Sequence, residues 1–137
     1  MALVQSLTVS NTVVTVNGRR ITNFGQAETP INEEAVNPKR MIMPGQGGGA
    51  VLLERVNPGR RVSLSVLPGS ADAAFLHGLY TSGAIITYTR TQIGSLETSI
   101  GTEGVIITEE SEGRGGTSVT DDVFTMQFNI WESMKGG

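Results

Sequence analysis

The most constraining feature of this chain is a strictly alternating run that breaks into a helix. Val62, Leu64 and Val66 alternate with Ser63 and Ser65 through residues 61–67, and Pro68, Gly69 and Ser70 follow. Alternation with a period of two puts the apolar side chains on one face and the serines on the other, as a half-buried strand requires. Ser70 is placed to cap a helix over residues 70–82, because its hydroxyl can accept an otherwise unpaired backbone N–H. Asp72 brings negative charge to the first turn, and Gly83 suits the left-handed residue that ends helices. Phe75, Leu76 and Leu79 share one side of that helix. A helix with so narrow an apolar stripe must lie on a sheet.

The remaining sequence reads as strands and turns. Val13 to Val16 run into Asn17-Gly18, a pair that tolerates positive φ at both positions and so signals a tight hairpin. The partner strand is residues 19–24, with Val14 opposite Ile21. Leu7 and Val9 alternate with Thr8 and Ser10 ahead of it. Residues 26–38 are polar and read as a loop or an irregular edge strand. Residues 40–43 and 50–56 form a hairpin around the tip Gly45, Gln46, Gly47, Gly48 and Gly49. Asn57-Pro58-Gly59-Arg60 is a second turn, which predicts three successive strands meandering into the helix. Beyond Gly83, strands are expected over residues 84–91, 96–100 and 104–108, with Gly101 separating the last two. Residues 109–120 read as an exposed acidic loop. The final strand, residues 123–131, puts Phe124, Met126, Phe128 and Ile130 on one face. The expected core includes Phe75, Leu76, Leu79, Phe124, Met126 and Phe128.

These elements predict a mainly β fold, a small antiparallel β-sandwich or barrel with one flanking α-helix, in one domain spanning residues 1–137. Aromatic residues are only 5% of the chain and glycines number 18, so the core is thin and the turns are many. Such a subunit suits stabilisation by neighbouring copies. Without cysteine there is neither a disulfide framework nor thiolate zinc ligation. The amino terminus lacks a basic segment followed by an apolar run. No stretch approaches the ~20 apolar residues of a membrane span, which predicts a soluble chain with no membrane anchor.

The net charge of −3 argues against a protein held to nucleic acid by phosphate contacts. Basic pairs Arg19-Arg20, Lys39-Arg40 and Arg60-Arg61 lie in the first part. Acids dominate after Arg90, through Glu97, Glu103, Glu109, Glu110, Glu112, Asp121, Asp122 and Glu132. Surfaces of opposite sign on one subunit suit head-to-tail contact between copies, the alternative being solvated turns and strand edges kept charged against aggregation.

No enzyme is expected. His77 is the only histidine, and no nucleophile elbow frames Ser70. The acids around residues 109–122 lack the order of a calcium loop, so no metal is assigned. The Gly45 to Gly49 tip lacks the Lys-Ser/Thr of a P-loop and leads into a strand, so it makes no phosphate cradle. No cofactor is implied. Trp131, Tyr80 and Tyr88 are too scattered for a base-stacking platform and read as core or interface anchors.

Ile21 to Gly25, the glycine-rich turn, the hairpin leading to residues 61–67 and the Ser70-led helix with Leu76 and Leu79 together resemble the tail tube proteins of long-tailed bacteriophages, particularly contractile ones. Similar tube-forming subunits occur in type VI secretion systems. The resemblance implies a structural subunit of which six form a ring, with inner strands joined into a continuous barrel. Stacked rings would give a tail tube in the virion, assembled in the host cytoplasm and serving as the conduit for genome ejection. Its implied partners are further copies of itself and the sheath, baseplate and tail terminator proteins, with DNA passing through without specific binding.

On that resemblance, the hairpin carrying Lys39, Arg40, Met41, Met43, Gln46, Gly47, Gly48, Gly49, Glu54 and Arg55 is the expected contact between subunits or rings. Glu109, Glu110, Glu112, Asp121 and Asp122 are the expected lumenal or acidic surface, able to repel DNA so that it slides. The alternative is a monomeric or dimeric β-sandwich binding module that recognises its ligand through glycine-rich loops. A small hydrolase has only the acids behind it.

Overall fold

The computed structural model describes residues 11–110, 113–117 and 119–135. The strand expected around Leu7 and Val9 lies outside them. In chain order the elements are β1 (Thr12–Val16), β2 (Arg19–Ile21), β3 (Ile31–Ala35), β4 (Arg40–Pro44), β5 (Ala50–Glu54), β6 (Arg60–Val66), α1 (Ala71–Ser82), β7 (Ile86–Gln92), β8 (Thr98–Glu109) and β9 (Asp122–Met134). The fold is mainly β with one helix. Seven strands form one antiparallel sheet in the order β2-β1-β7-β8-β9-β6-β3, while β4 and β5 pair only with each other.

The seven-stranded sheet rolls until its ends meet. Beyond β2 the chain reaches the outer edge of β6, where Phe24 bridges Val66, the Gly25 amide donates to the Ser65 carbonyl and the Leu67 amide donates to Asn23. The edge of β6 that β3 leaves uncovered is thereby paired, so the barrel keeps few unpaired backbone groups along this seam. Val14, Val16, Ile21, Val62, Leu64, Val66, Ile86, Tyr88, Ile106, Phe124, Met126 and Phe128 fill its interior. Helix α1 covers the end where β1 and β8 finish. Leu76 is buried there, with Phe75 and Leu79 packed against the core from its margin.

Local chemistry explains the main turns. Asn17 (φ 50°) and Gly18 (φ 82°) both take positive φ, and the hairpin they make sets Val14 opposite Ile21. The Ser70 hydroxyl accepts the Ala73 amide, and Gly83 (φ 68°) returns its N–H to the Leu79 and Tyr80 carbonyls. Asp72 does more than complement the helix terminus. It is only 2% exposed, and its carboxylate accepts the Thr22 and Asn23 amides and the Arg19 guanidinium, clasping the helix to the chain after β2. Burial pushes this carboxyl up, but the two backbone donors and Arg19 hold it below its ordinary value.

Within the polar stretch 26–38, read as a loop or an irregular edge strand, β3 is an edge strand of the sheet. Three expectations require correction. The meander into the helix does not form, because β6 pairs with β3 and β9 and not with β5. Gly101 does not separate two strands; it lies inside the single long strand β8. A Cβ on Gly101 would sit 2.8 Å from the Phe128 ring and 2.9 Å from the Trp131 ring, and one on Gly104 would sit 2.9 Å from the Gln127 carbonyl and against Phe128. Both glycines make room for the rings of β9, and β8 bulges between them, with Glu103 at φ 54°. Strand β9 extends to Met134, and Ile130 is exposed where continued alternation would bury it. Trp131 instead stacks on Tyr88, with ring centroids 5.8 Å apart.

Candidate assembly surface

The paired strands β4 and β5 form an arm off the barrel. The β3–β6 ladder ends at Ala35 opposite Arg60, and the arm ladder begins at Arg40 opposite Glu54. Between them residues 36–39 face residues 55–59, which include Pro38 and Pro58. Neither proline can donate to a ladder, so pairing stops here. The root is held by the Arg55 amide on the Lys39 carbonyl at 2.8 Å and by Asn37 Nδ2 on the Pro58 carbonyl at 3.3 Å. At the tip the Gly45 amide donates to Gly49 at 2.7 Å, and Gly48 takes φ 92°. Gln46, Gly47, Gly48 and Gly49 are all exposed.

Every residue of both arm strands is exposed. The register pairs Met41 with Leu53 and Met43 with Val51 on one face, and Ile42 with Leu52 on the other. Both faces are therefore apolar and open, with Ile42 68% and Leu52 61% exposed. The charged groups are confined to the root. Arg40 pairs with Glu54 at 3.2 Å between exposed side chains, and Lys39 and Arg55 flank them. A two-stranded ribbon is marginal in water by itself, and this one carries an open apolar patch on each face.

The expected acidic surface is differently disposed. Asp122 is buried and pairs with Arg114 at 2.6 Å. Asp121 accepts the Ala27 amide at 3.0 Å, and its carboxylate occupies the space a side chain on Gly25 would need. Glu109 meets His77 Nδ1 at 2.7 Å. Glu110 is exposed, and Glu112 lies outside the described residues.

The helix end brings no reactive set together. The Ser70 hydroxyl serves as the helix cap, Asp72 is held by the segment after β2, and His77 faces Glu109. Among the described residues no group of three or more His, Asp or Glu side chains is arranged to hold a metal ion, and no helix is long and apolar enough to cross a membrane.

Sequence reasoning missed a polar cluster at the opposite end of the barrel. Glu33 of β3 projects inward and accepts the Tyr88 hydroxyl at 2.7 Å, Arg90 Nε at 2.7 Å and the Ser99 hydroxyl at 3.0 Å. Arg90 Nη2 also donates to Glu97 at 3.1 Å. Burial pushes the Glu33 carboxyl up, yet Arg90, Tyr88 and Ser99 outweigh it and hold the carboxyl below its usual range. Burial and the Glu33 charge raise the Tyr88 hydroxyl. Arg90, despite its burial, is raised by Glu33 and Glu97. A cleft of about 530 Å³ opens over this cluster. The alternation of residues 86–92 does carry a signal for it, because Arg90 and Gln92 share parity with Ile86 and Tyr88.

No protein-family model and no curated protein sequence matches the chain. Solved structures do match in fold. The chain aligns with a TM-score of 0.65 and 12% identity to the structure of the sheath/tube terminator of an extracellular contractile injection system, PVC, in its extended state, over 97% of this chain and 99% of that one. It aligns with a TM-score of 0.64 and 12% identity to the sheath-tube complex of PVC in the extended state, over 95% and 92%. It also aligns with Hcp1 from Flavobacterium johnsoniae, with a TM-score of 0.51 and 14% identity, over 91% and 95%. The chain thus shares its fold with these structures.

Proposed function

We propose that the chain is a structural subunit of a contractile-tail tube. Copies close into rings of six, the rings stack, and the hollow product serves as the conduit of a phage tail through which the genome passes, inside a sheath and between a baseplate and a terminator. The observation that carries this reading is the arm, apolar on both faces and exposed along its whole length, attached to a barrel whose own interior is filled. Apolar surface of that extent is stabilised by burial against another protein surface, at about 25 cal/mol per Å² removed from water. Likeness in fold to tube and terminator assemblies makes further copies and tail proteins the fitting partners. The binding-module alternative would need exposed aromatics around a concavity. Tyr88 is instead buried and Trp131 stacks on it.

Deletion of Gln46, Gly47, Gly48 and Gly49 tests the reading by sedimentation and negative-stain microscopy. The expected product is folded rings or monomers that no longer elongate, since the shortened tip cannot complete the contact. Tubes of normal length from the deletion variant would remove the arm from the assembly. A full-length chain that stays a compact monomer at high concentration with its tail partners would overturn the tube itself.

A further inference from the structure

We propose that the cleft at the open end of the barrel is a carboxylate-binding site, with the Gln92 amide and the Arg60 guanidinium as its donors. Gln92 is only 3% exposed, and its Nε2 has no hydrogen-bond partner among the described residues. Rotating the amide does not remove the problem. Its Oε1 accepts from Arg90 Nη1 at 3.1 Å, a group that can only donate, and lies 2.8 Å from the Thr12 hydroxyl, so the oxygen is fixed and the N–H₂ is the end that needs an acceptor. Arg60 lines the same cleft and stacks over Trp131 at 5.7 Å, and its buried Nε also has no partner among the described residues. A buried donor without an acceptor is destabilising, and an oxygen ligand would relieve it.

The charges around the cleft select the kind of ligand. Glu33 and Glu97 are engaged by Arg90, leaving Arg60 and Lys135 to attract an anion, with Glu28 opposing them on the lining. Acids and bases are balanced, so a singly charged, planar carboxylate with two acceptor oxygens fits, whereas a doubly charged phosphate or sulfate meets repulsion. The carboxylate comes from a small molecule or from an acidic side chain of a second copy. The site itself does not depend on the tube reading.

Trp131 is the only tryptophan, so its fluorescence reports on Arg60 directly. The full chain is titrated with sodium acetate at constant ionic strength against sodium chloride, with sulfate as the dianion. A saturable change with acetate, absent with chloride and weaker with sulfate, is expected. Gln92→Leu and Arg60→Lys should each weaken it about tenfold, the equivalent of one charge-assisted hydrogen bond, while thermal unfolding in chloride verifies that the variants are folded. If the natural carboxylate belongs to a second copy, acetate and Gln92→Leu also disperse assemblies; if it is a small molecule, assembly is unchanged while acetate still binds. Either result supports the site. No acetate-specific response in the parent chain, as expected of a buried water only, or equal binding by both variants, would overturn it.

Discussion

Leu52 and Leu64 lie on consecutive strands, β5 and β6, and have opposite fates. Leu64 is fully buried, paired opposite Phe124 in a ladder covered from both sides, whereas Leu52 is 61% exposed on a ribbon with one partner strand. The barrel alternates apolar and polar residues, so one face satisfies its own interior. Met41, Ile42 and Met43 do not alternate, nor do Val51, Leu52 and Leu53, so the arm has no polar face to give to solvent. The two regions represent a fold completed within the chain and an apolar surface left open to solvent.

The comparison can be broken first at the barrel. Phe128→Ala removes a ring that touches Tyr88 and Trp131 and fills the space left by Gly101 and Gly104. A loss of about 3–5 kcal/mol is expected in denaturant unfolding. A loss below about 1 kcal/mol would mean that the barrel is not the self-sufficient part.

Glu33→Gln has a smaller effect, about 2 kcal/mol near neutral pH, by weakening the bonds from Tyr88, Arg90 and Ser99. Because the folded-state carboxyl is held below its usual value, its stabilisation is complete above the ordinary carboxylate range, about pH 4–5, and is lost as pH falls through the depressed value. Unfolding curves at several pH values should therefore show the gap between parent and variant closing on acidification. A gap that widens would contradict the assigned sign.

The smallest effect on subunit stability is expected from the arm. The double variant Ile42→Thr and Leu52→Thr changes two exposed, cross-strand partners and should alter unfolding by no more than about 0.5 kcal/mol. Yet it should abolish or sharply reduce elongation seen by microscopy. Destabilised subunits that still elongate would invert the assignment of the two regions.

Much of this architecture is legible in local chemistry. Asn17-Gly18 sets the first hairpin and its register, Ser70 and Gly83 bound the helix, and alternation identifies β6 and most of β9. The arm is legible as a hairpin. That it stands clear of the barrel is not, because residues 40–56 are as apolar as a core strand and only the path of the neighbouring strands decides whether anything covers them. The polar cluster is legible only in part, through the parity of Arg90 and Gln92 with Ile86 and Tyr88. Glu33 lies in a hydrophilic stretch, and its partners Tyr88, Arg90 and Ser99 are distant in sequence, so nothing local marks it as inward-facing. Gly101 misleads similarly: a glycine inside a strand signals a break or a close approach, and the deciding atoms belong to Phe128 and Trp131.

The order of residues by itself determined the mainly β character, the single helix and its caps, and the tight turns, since each depends on φ/ψ preferences and hydrogen bonds within a few positions. Tertiary structure alone decided that β6 joins β3 and β9, that Asp72 is buried and Arg90 half-buried against carboxylate and amide partners distant in sequence, and that both faces of the arm are left open. Those outcomes depend on which distant side chains and strand edges meet when the sheet rolls closed, and the free energy of such meetings is not written in any local pattern.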